Sequence, residues 1–102
     1  MLVEYLASYD RSFKTRSVDR HTGAIEAIDR LLDYFATGQR PHGLGLKRLQ
    51  QRYWEIRIGL DTRVLFELQH DRLTFILIGT HDEIRRAPSY LTPTLTQVQS
   101  PV

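Results

Sequence analysis

The sequence predicts an α+β domain, a small antiparallel sheet of about four strands with two N-terminal helices packed on one of its faces. Three observations carry that prediction. Helical periodicity spans 23–37, period-two alternation runs from 53 to 78, and turn residues at 59–61 and 70–71 fold that alternation into consecutive hairpins. With 102 residues there is material for one modest core of two packed layers. Residues 1–87 are therefore assigned to a single domain and the uncharged segment 88–102 to a C-terminal tail.

LVEYLASY, residues 2–9, alternates and is rich in aromatics, so it reads as a first strand. A short helical turn through Phe13 follows, with Asp10 or Ser8 as its cap. In GAIEAIDRLLDYFATG, the residues Ile25, Ile28, Leu31, Leu32 and Phe35 fall on one helical face, Glu26 and Arg30 stand four apart as an ion pair, and Gly38 then Pro41 end the helix. RPHGLGLKRLQQR, residues 40–52, opens with turn residues and becomes strand-like over 46–49, which leaves His42 in a loop.

A three-residue connection at 59–61 pairs Ile58 with Thr62, Arg57 with Arg63, Ile56 with Val64, and Trp54 with Phe66. A second hairpin, turning at His70 and Asp71, pairs Leu68 with Leu73, Phe66 with Phe75, and Val64 with Leu77. Side chains of one parity then form an apolar face, running from Trp54 through Phe66 to Leu77, on which the 23–37 helix lies. The other face presents Glu55, Arg57, Arg63 and Glu67, together with Leu65, Ile76 and Ile78 as exposed apolar residues. After Gly79, THDEIRRAP starts a helical turn that Pro88 stops.

Composition removes several function classes. The absence of cysteine excludes a disulfide framework, a thiolate metal site and a cysteine nucleophile. No run approaches the roughly 20 apolar residues of a membrane span, and the N-terminus lacks a basic lead followed by an apolar block. The chain is expected to be soluble, unprocessed and cytoplasmic, with no membrane association. His42, His70 and His81 share no ligand spacing, and HGLGL lacks the strand and helix that flank a phosphate loop, so neither metal nor cofactor is expected. The net charge of +2 is unevenly spread, with five basic and six acidic residues over 1–39 and nine basic against six acidic over 40–86. Of the 14 basic residues only Lys14 and Lys47 are lysine. Arginine is the flat, bidentate cation that suits phosphate and carboxylate, although GC-rich codon usage yields the same bias.

Arg57 and Arg63, placed opposite each other, oppose strand pairing by an amount comparable with the roughly 0.2–1 kcal/mol of a good cross-strand pair. Two explanations stand side by side. Either Glu55 and Glu67 neutralise the arginines in a surface ion-pair cluster, or the guanidiniums form a fork for an oxyanion, a phosphate above all, that the carboxylates orient. His81 leaves the last strand beside Arg63, and Asp61, in the hairpin loop at the same sheet end, is placed to orient an imidazole or accept a proton. Lys47, Arg48 and His42 border the same patch. These are the parts needed to cleave RNA without metal: a base takes the 2′-hydroxyl proton, the oxygen attacks the adjacent phosphate, cations stabilise the dianion, and an acid protonates the leaving oxygen. The plainer alternatives are that His81 and Asp82 cap a terminal turn and that Asp61 is an ordinary turn residue.

The order strand, two helices, then antiparallel strands, with WEIRIGLDTRVLFEL and LTFILIGTHDEIRR, resembles the RelE/ParE toxin superfamily over residues 3–87. The run Gly79-Thr80-His81 is similar to the YafQ-like branch, which favours a histidine where this chain has Arg57. The resemblance implies a RelE-like fold and the toxin component of a type II toxin–antitoxin system. It implies a metal-independent, ribosome-dependent endoribonuclease that cleaves messenger RNA, with a cognate antitoxin as partner. It further implies that Arg57 and Arg63 hold the scissile phosphate, that His81 is the general acid and that Asp61 is the loop carboxylate. Lys47, Arg48 and His42 become RNA contacts, and Tyr90 the aromatic nearest the base-stacking position. Two other readings remain open: a ParE-like gyrase poison or catalytically inactive binding or regulatory relative, and a homodimer that buries Leu65, Ile76 and Ile78 against a second chain.

Overall fold

The computed structural model describes residues 1–15 and 18–87. Five strands, β1 (Leu2–Tyr5), β2 (Gly45–Gln50), β3 (Tyr53–Ile58), β4 (Thr62–Gln69) and β5 (Arg72–Thr80), form one sheet in the order β1-β5-β4-β3-β2. Helices α1 (Ala7–Lys14) and α2 (Val18–Thr37) lie between β1 and β2, and a short helix α3 over 81–87 follows β5. The α+β class and the helical layer match expectation. The strand count and direction need correction, because β1 adds a fifth strand and pairs parallel with β5, which makes the sheet mixed.

The first strand is also shorter than the alternation suggests. It stops where the chain turns at Leu6 into α1, and Leu6, not Ser8 or Asp10, holds the N-cap position, with no side-chain cap. Ser8 has another partner. Beyond Phe75 the outer edge of β5 no longer has a strand beside it, and there Ser8 Oγ donates to the Ile76 carbonyl (2.6 Å) while Ser12 Oγ accepts the Ile78 N–H (3.0 Å). Two hydroxyls of α1 thus stand in for the ladder along this edge and partner its backbone groups.

On the helical side Ala24, Ala27, Ile28 and Leu31 of α2 join Tyr9 of α1 against Ile56, Ile58, Val64, Phe66, Leu73, Phe75 and Ile78. The buried stripe of α2 is rotated from the predicted one. Small alanines at 24 and 27 face the sheet and let the helix approach it, while Ile25 is left 54% exposed. Gly38, at φ 76°, ends α2 and donates its N–H to the Tyr34 carbonyl at 2.7 Å, a conformation glycine adopts without steric cost.

The β3–β4 register is the predicted one, residue for residue. In the second hairpin Leu65 pairs with Leu77 but Phe66 pairs with Phe75, so Ile76 is an extra residue in β5. The bulge reverses the parity of the residues beyond it. Val64 therefore pairs with Ile78 and not Leu77, Ile78 joins the helix-side core, and Ile76 and Leu77 pack on the far face. This overturns the placement of Leu65, Ile76 and Ile78 as an exposed dimerisation surface, since they are 0%, 1% and 0% exposed within one chain. Leu65 and Ile76 are covered by Ile84 and Ala87 of α3, with Tyr53 completing this second core. The turn predicted after Gly79 is fixed by a capping box, in which the Thr80 N–H meets Glu83 Oε1 (2.8 Å) and the Glu83 N–H meets Thr80 Oγ1 (3.3 Å). No described helix is long and apolar enough to cross a membrane.

Candidate functional site

Arg57 and Arg63 are direct partners across β3 and β4, and the same row continues to Gly45 on β2 and Gly79 on β5. A Cβ at Gly45 would approach the Arg57 Cβ to 2.8 Å, so a side chain at 45 would displace Arg57. The row therefore presents two guanidiniums between two glycines.

The two arginines are not equivalent. Arg57 is exposed, and its guanidinium has no ion-pair or hydrogen-bond partner among the described residues. Arg63 is buried, with its Nε 3.3 Å from Glu55 Oε2, itself buried. That separation makes an ion pair, but the N–H is not aimed at the oxygen, and Arg63 Nε lacks a hydrogen bond among the described residues. Its Nη1 makes only long contacts to the carbonyls of Leu60 (3.4 Å) and Thr62 (3.3 Å). Glu67 belongs to another pair. Its Oε2 accepts from Arg52 Nε, and this hydrogen bond pushes the Arg52 guanidinium above its ordinary range. The expected cluster of two arginines and two glutamates is thus divided, leaving Arg63 partly compensated and Arg57 uncompensated.

His81 opens α3 directly after Thr80, the partner of Thr62, and so emerges at the Arg63 end of the sheet. It is exposed, and its Nε2 lies 3.0 Å from Arg85 Nε, a donor, so Nε2 is the acceptor and a neutral ring carries its proton on Nδ1. The one-turn spacing of His81 and Arg85 was visible in the sequence. Asp61 sits at the same sheet end but is engaged from the helical side by an ion pair with Arg20 of α2, which also donates to Thr62 Oγ1. No local pattern signals Arg20, since it lies in another element.

The Arg20 hydrogen bond, helped by one from Thr62, holds the Asp61 carboxyl below its ordinary range. Asp61 is therefore a poor proton acceptor. A carboxyl whose folded pKa is depressed adds stability above its unfolded value, near pH 4, and loses it as pH falls through the folded value. Asp61→Asn should accordingly lower the urea midpoint at pH 7, and the gap from the parent should narrow as pH falls below the ordinary carboxylate range. A gap that stays constant with pH would show that the ion pair adds no stability.

Of the residues expected to border the patch, Lys47 does so: it pairs with Glu55, on the arginine face, and is exposed. Arg48 does not. Alternation turns it to the helical side, where its guanidinium lies 5.9 Å from the Trp54 ring and its Nε donates to the Gln51 carbonyl (2.7 Å). His42 is exposed in the turn before β2, and its carbonyl accepts from Arg30 of α2. Tyr90 lies outside the described residues. Among the described residues no group of three or more His, Asp or Glu is placed to hold a metal ion.

The mixed sheet with two helices on one face and a short helix on the other matches the RelE-like toxin fold. Solved structures with this fold include a copper-bound mutant toxin from Helicobacter pylori (TM-score 0.62, 12% identity, covering 82% of this chain and 98% of that one). The DinJ-YafQ toxin-antitoxin complex of E. coli matches with TM-score 0.59 and 20% identity, over 80% and 93% of the two chains. A YoeB/ParE toxin from Agrobacterium tumefaciens matches with TM-score 0.55 and 23% identity, over 79% and 99%. No family model and no curated protein matches the sequence. At these identities the likeness is one of fold.

Proposed function

We propose that this chain is the toxin of a type II toxin–antitoxin pair, a cytoplasmic endoribonuclease that cuts messenger RNA on the ribosome without metal. The observation that carries the proposal is the strand row itself: an exposed Arg57 faces a buried Arg63 whose Nε has no hydrogen bond among the described residues, beside His81. Such a row suits a phosphate, which would satisfy both guanidiniums with charge-assisted bonds. In this scheme Arg57 and Arg63 bind the scissile phosphate and stabilise the dianion formed by 2′-hydroxyl attack. His81 protonates the leaving oxygen, for which it must first leave Arg85 and become doubly protonated. Lys47, with His42 at the margin, attracts the RNA backbone, and Tyr90 is the candidate stacking aromatic. Asp61, being bound to Arg20, holds the hairpin loop in place and is not the base.

One observation favours a second reading. Glu55 already sits against Arg63 and competes with any anion, as expected of a gyrase-directed or catalytically silent relative that acts by binding. Inducible expression with mapping of transcript ends separates the two. The nuclease arrests growth and leaves new 5′ ends within translated messages, and both effects vanish in Arg57→Ala and His81→Ala. Arrest with intact transcripts, or no arrest, would overturn it.

A further inference from the structure

The loop between β3 and β4 is held from one side and holds from the other. Gly59 opens it at φ 66° and Leu60 stands exposed at its tip, so neither packs it against the core. The anchor comes from α2. Arg20 Nη1 lies 2.5 Å from Asp61 Oδ1 and donates to Thr62 Oγ1, and the Thr62 hydroxyl in turn donates to Asp61 Oδ1 at 3.2 Å. The same nitrogen lies 3.9 Å from where a Cβ on Gly59 would stand, so it reaches both ends of the loop. Toward the arginine row, the loop offers the Leu60 and Thr62 carbonyls to Arg63 Nη1 at 3.4 and 3.3 Å. Bonds this long hold a guanidinium weakly, so a small displacement of the loop redirects it.

We infer that Arg20 is a positioning residue for the arginine row: through Asp61 and Thr62 it fixes the two carbonyls that orient the Arg63 guanidinium, and so sets where an anion between Arg57 and Arg63 is held. The inference rests on the phosphate-binding reading of that row. Both side chains of the Arg20–Asp61 pair reach solvent, and such pairs add little stability, so Arg20 contributes placement more than cohesion. Arg63 needs that placement. Its Nε lies 3.3 Å from Glu55 Oε2 without being aimed at it, which leaves the Nη1 contacts to decide which way the fork opens. Thr62 is also the strand partner of Thr80, the residue before His81, so the same anchor bears on the acid. Arg20 works from the helical side and touches no reacting atom.

The test uses the full chain, with ribosomes carrying a short message as substrate and inorganic phosphate as the probe of the row. Arg20→Ala should lower kcat by about tenfold to a hundredfold, as expected when a charge-stabilising group is misplaced by up to about 1 Å, and leave KM within about twofold, since Arg57 and Lys47 still attract the message. Arg20→Lys, whose ammonium can donate to the same two oxygens, should recover most of the loss. Arg11→Ala, which removes an exposed charge from α1, should match the parent. In nuclear magnetic resonance spectra Arg20→Ala should shift the Arg63 Nε–H signal and the amides of 60–62, and saturating phosphate should move the Arg63 signal less than it does in the parent. A urea midpoint no lower than that of Asp61→Asn confirms folding; should Arg20→Ala unfold, Arg20→Gln, which keeps a donor, replaces it. Parental kcat in Arg20→Ala, an unmoved Arg63 signal, a loss that lysine does not recover, or an equal loss in Arg11→Ala would each overturn the inference and leave the nuclease reading intact. A parent that cuts no message sinks the nuclease reading instead, and the Arg63 signal with phosphate still decides the role of Arg20.

Discussion

Glu55→Ala should destabilise the domain by about 3–5 kcal/mol, the cost of leaving a buried guanidinium without its carboxylate. The reason lies in the asymmetry of the arginine row. Arg63 is buried, its only carboxylate partner among the described residues is Glu55, and its guanidinium otherwise makes two long bonds, to the Leu60 and Thr62 carbonyls. Removing Glu55 leaves the desolvation of Arg63 in place and takes away its compensation. Replacing both, Glu55→Leu with Arg63→Met, should recover most of the loss, since buried ion pairs rarely exceed apolar packing in net stabilisation. Urea unfolding at pH 7 measures all three chains. A Glu55→Ala change within about 0.5 kcal/mol of the parent would place Arg63 in water. Ligand binding should respond as well: inorganic phosphate, if bound by Arg63, should raise the midpoint of Glu55→Ala more than that of the parent, because the competing carboxylate is gone.

Phe66→Ala should have an effect of similar size, about 3–5 kcal/mol, through a cavity in the packed sheet face. Phe66 is fully buried in β4, its ring lies 5.9 Å from that of Phe75 at a 54° tilt, and its strand partners are Trp54 and Phe75. It also sits opposite the β5 bulge, where the ladder is irregular, so side-chain packing there carries more of the register than hydrogen bonding does. For a domain of this size each kcal/mol lowers Tm by about 4–8 °C, so the mutant should melt well over 10 °C lower. Leu60→Ala, at 94% exposure in the β3–β4 loop, is the control and should stay within about 0.5 kcal/mol. A similar loss in both would mean that burial does not govern stability here.

The parts of this fold legible in the sequence are those set by local periodicity. The β3–β4 hairpin follows from alternation and a three-residue loop, and it places Arg57 opposite Arg63 without reference to anything distant. Alternation fails at Ile76 because four apolar residues in succession, Phe75, Ile76, Leu77 and Ile78, satisfy either parity, and the bulge is chosen by the second core under α3. That choice moved Ile78 and hid the surface expected to dimerise. The parallel pairing of β1 with β5 was illegible for another reason: four residues of alternation carry no information about which strand they join. At the site, the facing of Arg57 and Arg63 followed from register, whereas the register used to place His81 was one residue off and the partners of all three were not legible. Arg20 reaches Asp61 from α2, and Glu55 was separated from Glu67 by the long reach of Arg52. Side-chain reach between elements has no periodic signature.

The pairing of β1 with β5 also has a temporal meaning. Leu2 leaves the ribosome well before its partner Arg72, so the nascent chain carries β1 unmatched until most of the described domain has been made. Closure of the β1–β5 pair is then a late event that waits for residues 72–75. A chain released prematurely, short of residue 72, would lack β5, the strand that joins β1 to β4, and so would have no finished sheet.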